Sequence, residues 1–123
     1  MLMNTSKKMA AFISLSAMLT FGATQALAHA ELVHTVPAAK SSGAAPAAIQ
    51  LHFSDAIEMK FSSFKVTDID GKEVAIKAVA GDAKTLSATP TAPLAPGLYT
   101  VTWSAASVED GHKMKGTFSF TVK

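Results

Sequence analysis

Three stretches of this chain alternate apolar and polar residues with a period of two. Ile49, Leu51 and Phe53 are interleaved with Gln50, His52 and Ser54, Tyr99, Val101 and Trp103 with Thr100 and Thr102, and Phe118, Phe120 and Val122 with Thr117, Ser119 and Thr121. Successive side chains of a strand point to opposite faces, so each run buries one face and wets the other. From Leu32 onward no long segment carries the helical period, and that restricts the chain to β architectures.

Turn chemistry separates the runs. Leu32 and Val33 begin a first short strand, which Pro37 and the cluster Lys40-Ser41-Ser42-Gly43 interrupt. Ala44 to Ala48 is rich in a good helix former, but it is short and Pro46 sits in its middle, so it reads as a loop. An irregular link from Asp55 to Ser62 leads to Phe64 and Val66 on one face, with Lys65 and Thr67 opposite. Asp68-Ile69-Asp70-Gly71 marks a tight turn, after which Val74, Ile76 and Ala78 are expected to continue the same apolar face. Gly81-Asp82 turns the chain towards a short strand at Thr85 to Ala88, and three prolines between Pro90 and Gly97 make that segment a loop. About seven short strands in one domain predict an all-β, immunoglobulin-like antiparallel two-sheet sandwich. With no cysteine, its stability must come from packing alone.

The first residues read differently. Lys7 and Lys8 precede an uncharged apolar run from Met9 to about Gly22, and Ala26-Leu27-Ala28 supplies a small-x-small exit. The run falls short of the roughly 20 apolar residues that a spanning helix needs, and it matches a secretory signal peptide. Residues 1–28 are thus expected to form a signal-peptide helix cut after Ala28, leaving an exported domain of residues 29–123. Two of the eleven lysines leave with the leader and there is no arginine, so nine basic side chains face nine acidic ones. A neutral domain without a basic stripe excludes nucleic-acid backbones as partners.

Cleavage after Ala28 would make His29 the amino terminus. A terminal histidine offers its amine and its Nδ1 to one ion, a chelate that no internal histidine can form. The segment expected to join the last two strands, Ala105 to Lys115, holds Asp110 and His112 two positions apart. In extended backbone, residues at i and i+2 project to the same side, so this carboxylate and imidazole are expected to converge. His29, Asp110 and His112 together make a nitrogen-rich donor set that favours Cu(II), and imidazoles with a carboxylate also suit zinc. His34 and His52 read as surface or hydrogen-bonded histidines. Met59 and Met114, the methionines outside the leader, are too few to converge as a thioether site for Cu(I). No nucleophile elbow, P-loop or dinucleotide fingerprint occurs.

The sequence resembles the CopC family of periplasmic copper-resistance proteins. The matching pieces are His29-Ala30-Glu31-Leu32-Val33, Pro37-Ala38, Ile49 to Ser54, Pro96 to Trp103, and Asp110-Gly111-His112 with Lys113 to Phe118. The resemblance implies that His29, Asp110 and His112 hold Cu(II), in a non-enzymatic carrier or buffer for copper tolerance and homeostasis. It also implies hand-over to a CopD-like inner-membrane protein; a monomer without a lipid anchor is expected. One departure is that Ser107-Val108-Glu109-Asp110 is a residue longer than the family's Ser-x-Asp spacing, so the loop is expected to bulge. The alternative function is a histidine-brace copper mono-oxygenase acting on polysaccharide. Against it, Asp110 would fill the position that oxygen needs.

Overall fold

A computed structural model describes residues 30–123. The expected signal-peptide helix, the cut after Ala28 and His29 itself lie outside the described residues. Among the described residues the chain forms β1 (Leu32–Val36), β2 (Ser42–Gly43), β3 (Ile49–Phe53), β4 (Ser63–Thr67), β5 (Glu73–Val74), β6 (Ile76–Val79), β7 (Thr85–Pro90), β8 (Gly97–Ala106) and β9 (Lys113–Val122), with one 3-10 turn at Met59–Phe61. They pair into two sheets, ordered β1-β3-β7-β6 and β2-β9-β8-β4-β5. Every pairing is antiparallel except that of β2 with β9. This is the expected sandwich. Two of the strands, β2 and β5, are only two residues long, too short to leave a periodic trace in a sequence.

The alternating runs meet in the core as their period requires. Ile49, Leu51 and Phe53 from one sheet face Val66, Tyr99, Val101, Trp103, Phe120 and Val122 from the other, all buried. Phe53 meets Trp103 edge-on, with ring centroids 5.5 Å apart, a geometry that sets the positive ring edge against the negative face. Tyr99 stacks on Phe120 at 5.6 Å and donates its hydroxyl to the Ala95 carbonyl at 2.6 Å, which pairs the one polar atom that its burial would otherwise strand.

Four local expectations are corrected. The first strand runs on to Val36, because its pairing with β3 extends from Leu32 to Val36. The Lys40–Gly43 cluster does more than interrupt: it carries the chain from the edge of one sheet to the edge of the other. Lys40 N donates to Ser119 O at 2.6 Å and Thr121 N to Ser41 O at 2.9 Å. Pro90 closes β7 opposite Ile76, at a strand end where its missing N–H costs little. Finally, Val74, Ile76 and Ala78 do not share one face, because the chain changes sheets at Ala75, with Val74 paired to β4 and Ile76 to β7. The Asp68–Gly71 turn forms as expected. Asp68 Oδ1 accepts from the Asp70 and Lys72 amides at 2.9 and 3.0 Å, and Gly71 takes a φ of 82° that favours glycine.

Candidate metal centre

Strands β8 and β9 pair continuously from Gly97–Val122 to Ala106–Lys113, so the connection between them is Ser107 to His112, shorter than the expected Ala105 to Lys115. Three hydrogen bonds close it. Gly111 N donates to Ser107 O and Ser107 N to His112 O, each at 2.9 Å, and His112 N donates to Asp110 Oδ1 at 3.0 Å. Gly111 sits at a φ of 70°, the left-handed region that glycine enters without steric cost. The expectation that Asp110 and His112 flank an extended backbone is therefore corrected. Asp110 uses one carboxylate oxygen to fold the chain back onto the amide of His112, the usual way an aspartate nucleates a turn. Both residues are exposed on this turn.

Ser107 is the hub beneath the turn. It is fully buried, it bridges Ile57 across a short antiparallel contact, and its neighbours are strapped to the link that follows β3. Val108 N donates to Ala56 O at 3.1 Å and Glu58 N to Ala106 O at 2.8 Å, while the Ser62 hydroxyl accepts from Ala106 N at 3.0 Å. The Ser107 hydroxyl accepts from the amide of Ala30 at 3.4 Å. Ala30 is itself fully buried, which is why its amide needs a protein partner. One residue further on, Glu31 N donates to Ser54 Oγ at 2.9 Å and Glu31 O accepts from Ser54 N at 2.8 Å. The first described residues are thus fastened to the same end of the sandwich as the turn that bears Asp110 and His112.

Of the three ligands expected from the sequence, Asp110 and His112 share this turn and His29 lies outside the described residues. Among the described residues no three His, Asp or Glu side chains gather as a metal-binding group, so any complete ligand set must draw on a further group. Two residues outside the expected ligand set belong to this end. Ser107 is one. The other is Asp55, whose Oδ2 accepts from Ser54 Oγ at 3.2 Å and which lies between Ser54, bonded to Glu31, and Ala56, bonded to Val108. The signal was its place just past β3, the strand whose end meets the incoming chain.

His34 and His52 sit together on the four-stranded sheet. They face each other across β1 and β3 with rings stacked 4.2 Å apart, and His52 is hydrogen-bonded to Gln50 and Thr85, as its sequence reading anticipated. Met114 packs against the core, whereas Met59 is exposed in the 3-10 turn.

Comparison with known proteins converges on one family. The family model described as the CopC domain matches residues 32–123. Copper resistance protein C of Pseudomonas syringae pv. tomato is 42% identical over 120 residues, covering 91% of this chain and 94% of that protein. Copper resistance protein C of Escherichia coli is 42% identical over 110 residues, covering 82% and 86%. Among solved structures, PcoC, a methionine-rich copper resistance protein from Escherichia coli, superposes with a TM-score of 0.70 at 42% identity, covering 78% of this chain and all of that one. CopC from Methylosinus trichosporium OB3b gives a TM-score of 0.68 at 34% identity, covering 77% and 94%.

Proposed function

This chain belongs to the CopC family, and from that premise we propose that it is a periplasmic Cu(II)-binding protein, a carrier or buffer that serves copper tolerance and homeostasis without catalysing a reaction. In this reading the leader, residues 1–28, is removed after Ala28. The amine and imidazole of His29 then chelate Cu(II) together with His112 and Asp110, and Asp55 borders the site. Nitrogen-rich sets of this kind favour Cu(II), where the divalent affinity order peaks. The acceptor is a CopD-like inner-membrane protein.

The observation that carries the reading is the bond from Ala30 N to the buried Ser107 hydroxyl. That bond fastens Ala30, the first described residue, to the buried end of the turn that bears Asp110 and His112, which supports a ligand set drawn from both ends of the chain. Cutting the chain at that point creates an amine where one is useful. Every donor binds copper in its deprotonated form, so protons compete with the metal and acid releases the cargo.

Native mass spectrometry of the exported protein tests this. The expected species starts at His29, holds Cu(II) near neutral pH, and loses it when acidified to about pH 4.5. A mass that starts at Met1, or a correctly cut chain that takes up no copper, would sink the reading. Retention undiminished in acid would rule out the amine and imidazoles as ligands.

A further inference from the structure

The four-stranded sheet carries a pair of histidines on neighbouring strands. His34 on β1 and His52 on β3 are direct register partners, and their rings lie 4.2 Å apart and 13° from parallel. His34 is exposed and His52 half-buried. His52 Nδ1 lies 3.2 Å from Thr85 Oγ1, and its Nε2 lies 3.2 Å from Gln50 Oε1. Behind Thr85 stands Asp82, in the turn that precedes β7.

One of the two tautomers of His52 would turn its Nε2 lone pair outwards. The carboxyl of Asp82 is held below the usual range first by the Lys84 amide and then by the Thr85 hydroxyl, with smaller contributions from the His52 and Lys84 charges. Lys84 N donates to Asp82 Oδ1 at 2.9 Å. Thr85 has a single hydroxyl proton. When that proton goes to Asp82, the hydroxyl can meet His52 only as an acceptor, which requires the ring proton on Nδ1. In the neutral ring the lone pair then sits on Nε2, and the Gln50 amide, whose oxygen lies 3.2 Å away, must turn aside to admit an ion. A histidine whose far nitrogen donates through a hydroxyl to a carboxylate is arranged as metal-ligating histidines are, since that outer contact fixes the orientation of the ring.

We propose that His34 and His52 form a second metal site, a two-imidazole site for a borderline divalent cation such as Zn(II) or Cu(II), with Thr85 and Asp82 as positioning residues. Stacked rings hold their lone pairs side by side. A tilt of the exposed His34 ring brings one of its nitrogens and His52 Nε2 onto a common ion, at the roughly 2.0–2.1 Å typical of imidazole nitrogen on zinc. Water fills the remaining positions, as in open sites. Imidazole suits zinc, copper and nickel alike, so the pair selects by donor type and not by ion. The site draws nothing from Asp110 or His112 and stands or falls independently of them.

The test is a Zn(II) titration of the exported protein carrying His112→Ala, which weakens the turn site, followed through the 15N resonances of the imidazole rings. Before metal is added, His52 should carry its proton on Nδ1. On titration, His52 Nε2 and one ring nitrogen of His34 should shift together with a micromolar midpoint. His34→Ala should abolish the coupled shift. Thr85→Val, which keeps the side chain's shape but removes the acceptor, should weaken binding about 10- to 100-fold and release the Nδ1 tautomer, while His52 keeps its place in the sheet. A proton on Nε2 in the metal-free protein, shifts confined to one ring, or a response only at millimolar Zn(II) would each overturn the proposal.

Discussion

Replacing Ser107 by alanine probes whether the incoming chain and the Asp110–His112 turn act as one unit. The substitution removes the acceptor for the Ala30 amide but spares the backbone bonds from Ser107 to His112 and Gly111, so the turn keeps its closure. A buried amide left without a partner costs about 1–3 kcal/mol. The 3.4 Å separation is long for a hydrogen bond, so the lower end applies, about 1 kcal/mol. If the residue before Ala30 ligates copper, ordering that segment must be met from binding energy, and about 1 kcal/mol raises Kd roughly fivefold. A competition titration with Cu(II) near neutral pH reads this directly. Ser54→Ala is the control, because it removes the acceptor of the exposed Glu31 amide, which water can replace, and its effect should be smaller. An unchanged Kd for Ser107→Ala, or a larger loss for Ser54→Ala, would refute the linkage.

Two further outcomes follow from the packing and from the acid end of the stability curve. A Cβ on Gly116 would lie 3.0 to 3.1 Å from three ring atoms of Trp103, whose ring is buried against Phe53. Overpacking of about 1–3 kcal/mol outweighs the roughly 0.4–1 kcal/mol that Gly→Ala gains through the unfolded state. Gly116→Ala should therefore lower Tm by about 4–8 °C for each net kcal/mol lost, followed by the fluorescence of Trp103, and an equal or higher Tm would contradict the clash. Asp82 has its folded carboxyl below the ordinary range, through the Lys84 amide first and the Thr85 hydroxyl second. Its contribution to stability is present above the ordinary carboxylate range and is lost as pH falls through the lowered one. Asp82→Asn should reduce stability at neutral pH and leave it unaltered in strong acid, which urea unfolding across a pH series measures; a difference constant with pH would contradict that assignment.

Much of the sandwich was legible because its long strands are half-buried. The alternations at Ile49–Phe53, Tyr99–Trp103 and Phe118–Val122 each name a buried face, and all three faces meet in the core. Period two says which side of a sheet a residue occupies but not which sheet it belongs to. That is why the change of sheets at Ala75 and the crossing at Lys40–Gly43 were not visible. The turn was legible as a pair of residues, Asp110 and His112, but not as a geometry, since the carboxylate's bond to the His112 amide competes with the extended backbone that the spacing suggested. Ser107 was legible only through the spacing of its segment and Asp55 only as the start of a link, because their significance comes from chain segments brought in from the far end of the sequence.

The bond between Ala30 and Ser107 joins residues 77 positions apart. Loop-closure entropy opposes so distant a contact in a disordered chain, so this end of the molecule depends on the strands between being in place. A polypeptide with a sheet mispaired lacks that junction and offers a metal ion only scattered side chains. If copper is held at this junction, as proposed, the ability to hold it doubles as a certificate of finished folding. Once the ion is bound, mass action returns the favour by drawing population away from every incomplete form.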